Sequence, residues 1–401
     1  MFACRHPPTQ ETNMLKKWTR LALGPASPPC GCGLPHPHAG HEALTAHGAR
    51  RRGLLGAAAA FGMGLAIGGD AWAQQTKSAA TIIDVHHHYT SPALLAMMLG
   101  RRTNQVFNQS WTVQKSLDAM DAGGITTAIV STSDPGIFFG DYDQAKALAR
   151  DCNEFQARMV ADHKGRFGMF TTLPLPDIDS TLAEIAYGLD TLKAQGVGMM
   201  TSYGSKYLGD PAFTPVMEEL NRRKATVFVH PLQPACCTNV VPKVPDVVVE
   251  YGTETSRTIA SLLMNHTTIR YPDIRFIFSH GGGDVPFLTF RFARMVSGDD
   301  ELMKAEPGGA IALIRKLYFD TAQAWNPYSL PSLTALMPPE RILFGSDFPA
   351  ASPLDTANGL RASGMSAAAL AKIEWQNAQA ILANLRQAQG GRSVPNAGGV
   401  G

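Results

Sequence analysis

Five residues hold the chemistry open to this chain: His86, His88, His230, His280 and Asp347. His86 and His88 close the stretch Ile83-Asp84-Val85-His86-His87-His88, at the end of the first apolar run, Thr81-Ile82-Ile83. If that run is a β-strand, alternate side chains share a face, so His86 and His88 point one way and His87 the other. Two imidazoles at i and i+2 can chelate one metal ion, and a third imidazole with a carboxylate would complete the site. The chain offers both. His230 lies in Phe228-Val229-His230-Pro231, His280 in Phe278-Ser279-His280-Gly281-Gly282-Gly283, and Asp347 in Phe344-Gly345-Ser346-Asp347-Phe348-Pro349. Such a set suits one borderline divalent ion, Zn2+ first and Mn2+, Fe2+ or Co2+ as alternatives, with an open position for water or substrate.

These residues need elements that bring them to one place. From Thr81 onward, β-branched and apolar runs of strand length (81–86, 126–132, 166–173, 197–202, 226–230, 275–280, 317–321 and 341–346) alternate with helix-period segments. The latter are 113–122, 143–162, 180–195, 212–223, 254–270, 286–296 and 330–337, with 366–385 after the last strand. Eight strands alternating with eight helices predict an α/β fold, a (β/α)8 TIM barrel, with a doubly wound open sheet as the alternative. Active sites of such barrels gather at the C-terminal strand ends. Five of the seven histidines from Thr81 onward fall there, after strands one, five and six, and Asp347 follows strand eight. A single histidine at such a place reads as an ordinary core or loop residue; four strand ends meeting at one rim do not.

Composition narrows the function. The 401 residues are 45% apolar, enough for a sizeable core, and a formal charge of +2 leaves no basic stripe for nucleic acid. No glycine-rich loop of the nucleotide-binding kinds appears. Six cysteines, three of them in the first 32 residues, make no disulfide framework. Arg50-Arg51-Arg52-Gly53-Leu54-Leu55, a short Ala/Gly-rich run and Ala71-Trp72-Ala73 before Gln74 resemble a twin-arginine signal, too short and Gly-rich for a stable membrane span. The expected division is a disordered extension with signal peptide over 1–75, one catalytic domain over 76–386 and a flexible tail over 387–401. Met14 is a candidate start. The expected location is the periplasm or outside the cell, with the cytoplasm as the alternative.

Ile-Asp-x-His-x-His after strand one, His-Pro after strand five, Ser-His-Gly-Gly-Gly after strand six and Gly-Ser-Asp-Phe-Pro after strand eight resemble the amidohydrolase superfamily. More narrowly they resemble its amidohydrolase-related branch, with the aminocarboxymuconate semialdehyde and salicylate-type decarboxylases. Tyr318-Phe319-Asp320-Thr321-Ala322 and Asn326-Pro327-Tyr328-Ser329 look closest to 6-methylsalicylate decarboxylases. The resemblance implies His86, His88, His230 and Asp347 as metal ligands and His280 as an acid/base off the metal, with His280 as a ligand the competing assignment. Asp347 or His280 would deliver the proton. No lysine ends strand four, so one metal is expected rather than two.

The resemblance also implies a homodimer and places a carboxylate-binding arginine at Arg291, whose bland reading is a surface ion pair. Phe138, Phe139, Trp325 and Tyr328 fall in loops after strands two and seven and are candidate walls for an aromatic ring, while Trp111 is a candidate cover for the mouth. Arg101, Arg102 and Lys115 offer no clear counterpart of the second arginine used for a dicarboxylate. His87, His163 and His266 read as structural. The expected function is a metal-dependent non-oxidative decarboxylase of a small aromatic hydroxy acid. Alternatives are a metal-dependent hydrolase of a lactone, amide or ester, and a non-catalytic metal-binding protein.

Overall fold

A computed structural model describes residues 81–101, 110–382 and 385. The expected extension, signal segment, start and tail, with Arg102, lie outside these residues. Eight parallel strands run β1 Ile83–His88, β2 Thr127–Ser131, β3 Phe167–Thr172, β4 Gly196–Met200, β5 Thr226–His230, β6 Arg275–Phe278, β7 Tyr318–Asp320 and β8 Ile342–Leu343, each beside its predecessor. The sheet closes on itself through backbone bonds between the two ends. Val85 N donates to Phe344 O at 2.9 Å, Asp347 N to His86 O at 2.8 Å and His88 N to Phe348 O at 2.7 Å. The α/β barrel is therefore formed, and nearly every strand residue is buried, as expected when helices cover the outer face.

The connecting helices include Val113–Gly123, Tyr142–Asp162, Ile178–Ala186, Thr214–Arg222, Glu250–Met264, Val285–Val296, Ser329–Leu336 and Pro353–Ala362. Their starts are written locally: Asp141, Asp177 and Ser352 each cap the backbone N–H three residues on. Two sequence expectations shift. The helix expected over 254–270 ends at Met264 and resumes at Thr267, because His266 takes a left-handed backbone (φ 59°). Strand four stops at Met200, and a hairpin of Ser202–Tyr203 with Lys206–Tyr207 follows.

The apolar interior has two layers. The larger lies between strands and helices. The smaller fills the barrel itself: Ile83, Val85, Ile129, Phe170, Phe228 and Leu343 pack there with Ala378, Ile381, Leu382 and Leu385 from the chain's end. The segment expected as a helix over 366–385 runs Ala367–Ala371, a wider π-turn Lys372–Gln376 and Asn377–Ile381. It is sewn to the strands by polar bonds. Phe344 N donates to Ile373 O at 2.9 Å, and Thr226 Oγ1 to Ile381 O at 2.7 Å.

Candidate active site

Strict alternation along β1 would put Ile83 and Val85 on the opposite face from His86 and His88. The pairing register slips between Asp84 and His87, so all four reach the interior. Asp84 holds the slip. Its Oδ1 accepts from His86 N at 3.1 Å and Ser346 N at 3.0 Å, and its Oδ2 from Ser346 Oγ at 2.5 Å. His87 is buried outside the cluster, with Nδ1 3.1 Å from Asp84 Oδ2 and Nε2 3.1 Å from Ser116 Oγ.

The structure brings all five sequence-derived residues together. One ligand atom from each of His86, His230, His280 and Asp347 lies within 4.8 Å of the others. His88 joins them: its Nε2 is 3.0 Å from His86 Nε2 and 3.2 Å from Asp347 Oδ1. Asp347 Oδ1 is also 3.2 Å from His86 Nε2, while its Oδ2 is 3.3 Å from His280 Nε2. One carboxylate oxygen thus faces the paired histidines of β1 and the other faces His280.

Electrostatics suit a cation. Burial, then the neighbouring imidazoles, push His230 well below the ordinary histidine value, and burial also lowers His88, so both favour the neutral form that can ligate. Burial works against ionising Asp347, but the His86 charge and hydrogen bonds from His280, His86 and His88 outweigh it and hold the carboxyl well below its usual range. Burial would lower His86 too; Asp320 and Asp347 overcome it and raise its value to about 10. The cluster is a buried seat for positive charge, with imidazole and carboxylate donors that fit one borderline divalent ion.

Sequence reasoning missed several residues. Asp320 ends β7, fully buried, with Oδ2 2.8 Å from His86 Nδ1, while its Oδ1 accepts from His280 N at 2.9 Å and Ala322 N at 3.0 Å. A carboxylate at a strand's C-terminal end was the signal that could have found it. Tyr251 sets its ring 5.9 Å from that of His230 and 6.2 Å from that of His280, and its hydroxyl donates to Asp134 Oδ2 at 3.0 Å. Gln323 Nε2 donates to Asp347 Oδ2 at 2.7 Å; no strand pattern signals it.

The candidate substrate residues separate. Phe138 lines a cleft beyond the ends of β2, β3 and β4, with Ile137, Leu173, Met200, Leu232 and the hydroxyl-bearing Thr132, Ser202 and Tyr203; no charged side chain lines it. Tyr328 and Gln323 border a second cleft that contains His280. Trp325 lines neither, since its ring fills the space over Gly359 of Pro353–Ala362 in the outer apolar layer. Trp111 likewise packs outside, with Nε1 donating to Ser116 Oγ at 3.0 Å and its ring against Tyr89 and Phe155. Phe139 belongs to the same outer layer. Arg291 is exposed on a groove between Glu250–Met264 and Val285–Val296, beside Ser256, Leu288 and Met295. Of the histidines read as structural, His163 ends Tyr142–Asp162, and His266 is held between Asp299 at 2.7 Å and Glu301 at 3.2 Å.

Comparison with known proteins agrees with this geometry. A family model described as amidohydrolase matches residues 83–383. A decarboxylase of Aspergillus niger is 37% identical over 292 residues, 69% of this chain and 79% of the relative. The 6-methylsalicylic acid decarboxylase of Penicillium expansum is 36% identical over 273 residues, 67% of this chain and 84% of the relative. Among solved structures, the dihydroxybenzoic acid decarboxylase of Polaromonas sp. JS666, with bound manganese and an inhibitor, superposes with a TM-score of 0.67 at 21% identity, covering 75% of this chain and 96% of that one.

Proposed function

Because the chain belongs to the amidohydrolase family, we propose that it is a metal-dependent carboxy-lyase that removes CO2, without oxidation, from a small aromatic hydroxy acid of the salicylate kind. The observation that carries this reading is the imidazole and carboxylate cluster at the barrel mouth, together with a cleft beyond the ends of β2, β3 and β4 that no charged side chain lines. An uncharged lining suits an aromatic ring better than a dicarboxylate, since a second carboxylate would find no cation there.

The ligand set is His86, His88, His230 and Asp347, with His280 as acid/base. A metal-bound histidine nearly always donates its far ring nitrogen to a carboxylate or carbonyl. His86 Nδ1 meets Asp320 Oδ2 at 2.8 Å, His88 Nδ1 meets Ser131 O at 3.2 Å and His230 Nδ1 meets Pro231 O at 2.6 Å. His280 Nδ1 is buried without a hydrogen-bond partner among the described residues. The contrast supports three anchored ligands and one freer imidazole. Zn2+ fits this imidazole-rich set, and Mn2+ is the alternative.

When bound, a divalent ion supplies Lewis acidity that orients and polarises an ortho-hydroxy carboxylate. The chain's own part is a proton. His280 Nε2 and Asp347 Oδ2, 3.3 Å apart, hold it between them and deliver it to the ring carbon bearing the carboxylate. As CO2 leaves, the electrons of the broken C–C bond restore the ring. We also propose a homodimer: Val285–Val296 exposes Phe287, Phe290 and Arg291 at i, i+3 and i+4, an apolar face with Arg291 free to reach toward a second copy.

The test is CO2 and phenol release from 6-methylsalicylate and other hydroxybenzoates. Activity is expected to vanish on chelation, return with Zn2+ or Mn2+, and fall with metal content in Asp347→Asn. Turnover of a lactone with no CO2 from the whole panel would replace the reading by hydrolysis.

A further inference from the structure

Three non-glycine residues with left-handed backbones converge on one carboxylate: His280 (φ 54°), Gln323 (φ 55°) and Asp347 itself (φ 69°). Such conformations are costly for side-chain-bearing residues, and where they cluster they point to function. His280 and Asp347 already have roles. Gln323 does not. It occupies the third position of a tight turn closed by Ala324 N donating to Thr321 O at 2.9 Å, the position where glycine or asparagine is favoured in turns that need positive φ. The turn is fixed from below, because Asp320 Oδ1 accepts from both Ala322 N and His280 N.

The side chain kept at this strained place is exposed, borders the cleft that contains His280, and spends one amide N–H on Asp347 Oδ2 at 2.7 Å. Its side-chain carbonyl oxygen and second N–H have no protein partner among the described residues. An unused acceptor beside an unused donor, next to the proposed metal ligand, matches a phenolic O–H adjacent to a carboxylate: the hydroxyl donates to Oε1 and the carboxylate accepts from Nε2. Resting on the carboxy-lyase reading of this site, we propose that Gln323 is a specificity-determining residue that reads the ortho hydroxyl of the aromatic acid.

The experiment measures binding without requiring turnover, by titrating the metal-loaded protein with salicylate and with benzoate, which lacks the hydroxyl. Gln323→Leu is expected to weaken salicylate about five- to tenfold more than it weakens benzoate, the worth of the one neutral hydrogen bond that benzoate lacks. Gln323→Asn and Gln323→Gly, both at ease with positive φ, guard against misfolding. Both are expected to show the same selective loss, and Gln323→Gly to melt no lower than wild type. Equal losses for the two acids, or no loss for either, would overturn the proposal. CO2 release by wild type is scored separately. Selective salicylate loss in a protein that releases no CO2 sinks the carboxy-lyase reading alone, whereas CO2 release with unselective variants sinks only the role of Gln323.

Discussion

Asp320 links His86, a proposed metal ligand, to the backbone that presents His280. Its two oxygens serve separate tasks: Oδ2 fixes the ring of His86, and Oδ1 gathers the amides of His280 and Ala322. Asp320→Asn keeps the size and one acceptor but lets an amide N–H face His86 Nδ1, which favours the wrong tautomer at the metal-facing nitrogen. Metal affinity is expected to drop about 10- to 100-fold, measured by competition with a chromophoric chelator. An unchanged affinity would reduce Asp320 to a packing residue.

Among the elements, the last helix does more than cover the barrel. Ile381, Leu382 and Leu385 enter the barrel's inner apolar layer with Ile83, Phe170 and Phe228, so this segment fills the interior. The interior needs this plug because β8 is short and its own backbone leans on the helix, through Phe344 N to Ile373 O and Asn377 Nδ2 to Ile342 O. Ile381→Ala is expected to cost about 2–5 kcal/mol of unfolding free energy, read from urea denaturation. Its carbonyl, which accepts from Thr226, is retained in that variant, so a loss reports apolar filling. A cost below that of an exposed site would show that the segment merely rests on the barrel.

For the whole molecule, an exposed apolar face on Val285–Val296 is the feature of consequence. Phe287 is 90% exposed and Phe290 66% exposed on a single helical face with Arg291, which lies outside its own active site. The proposed second copy would remove this face from water. Sedimentation is expected to give a dimer for wild type and a monomer for Phe287→Ser/Phe290→Ser with an unshifted melting temperature. A wild-type monomer, or a variant dimer, would remove the proposed interface and with it any role for Arg291 across it.

The sequence by itself determined the barrel and the five polar groups at its rim, because strand and helix periodicities are local and the C-terminal ends of parallel strands meet wherever the sheet closes. Tertiary structure decided what those groups touch. The register slip that turns His86 and His88 inward depends on Asp84 meeting Ser346, 262 residues away. Asp320 reaches His86 across 234 residues. Trp325 left the mouth for the space over Gly359, and Gln323 gained its place from a turn held by Asp320. Each of these is set by the closure of the barrel and by backbone angles, which no spacing along one strand encodes.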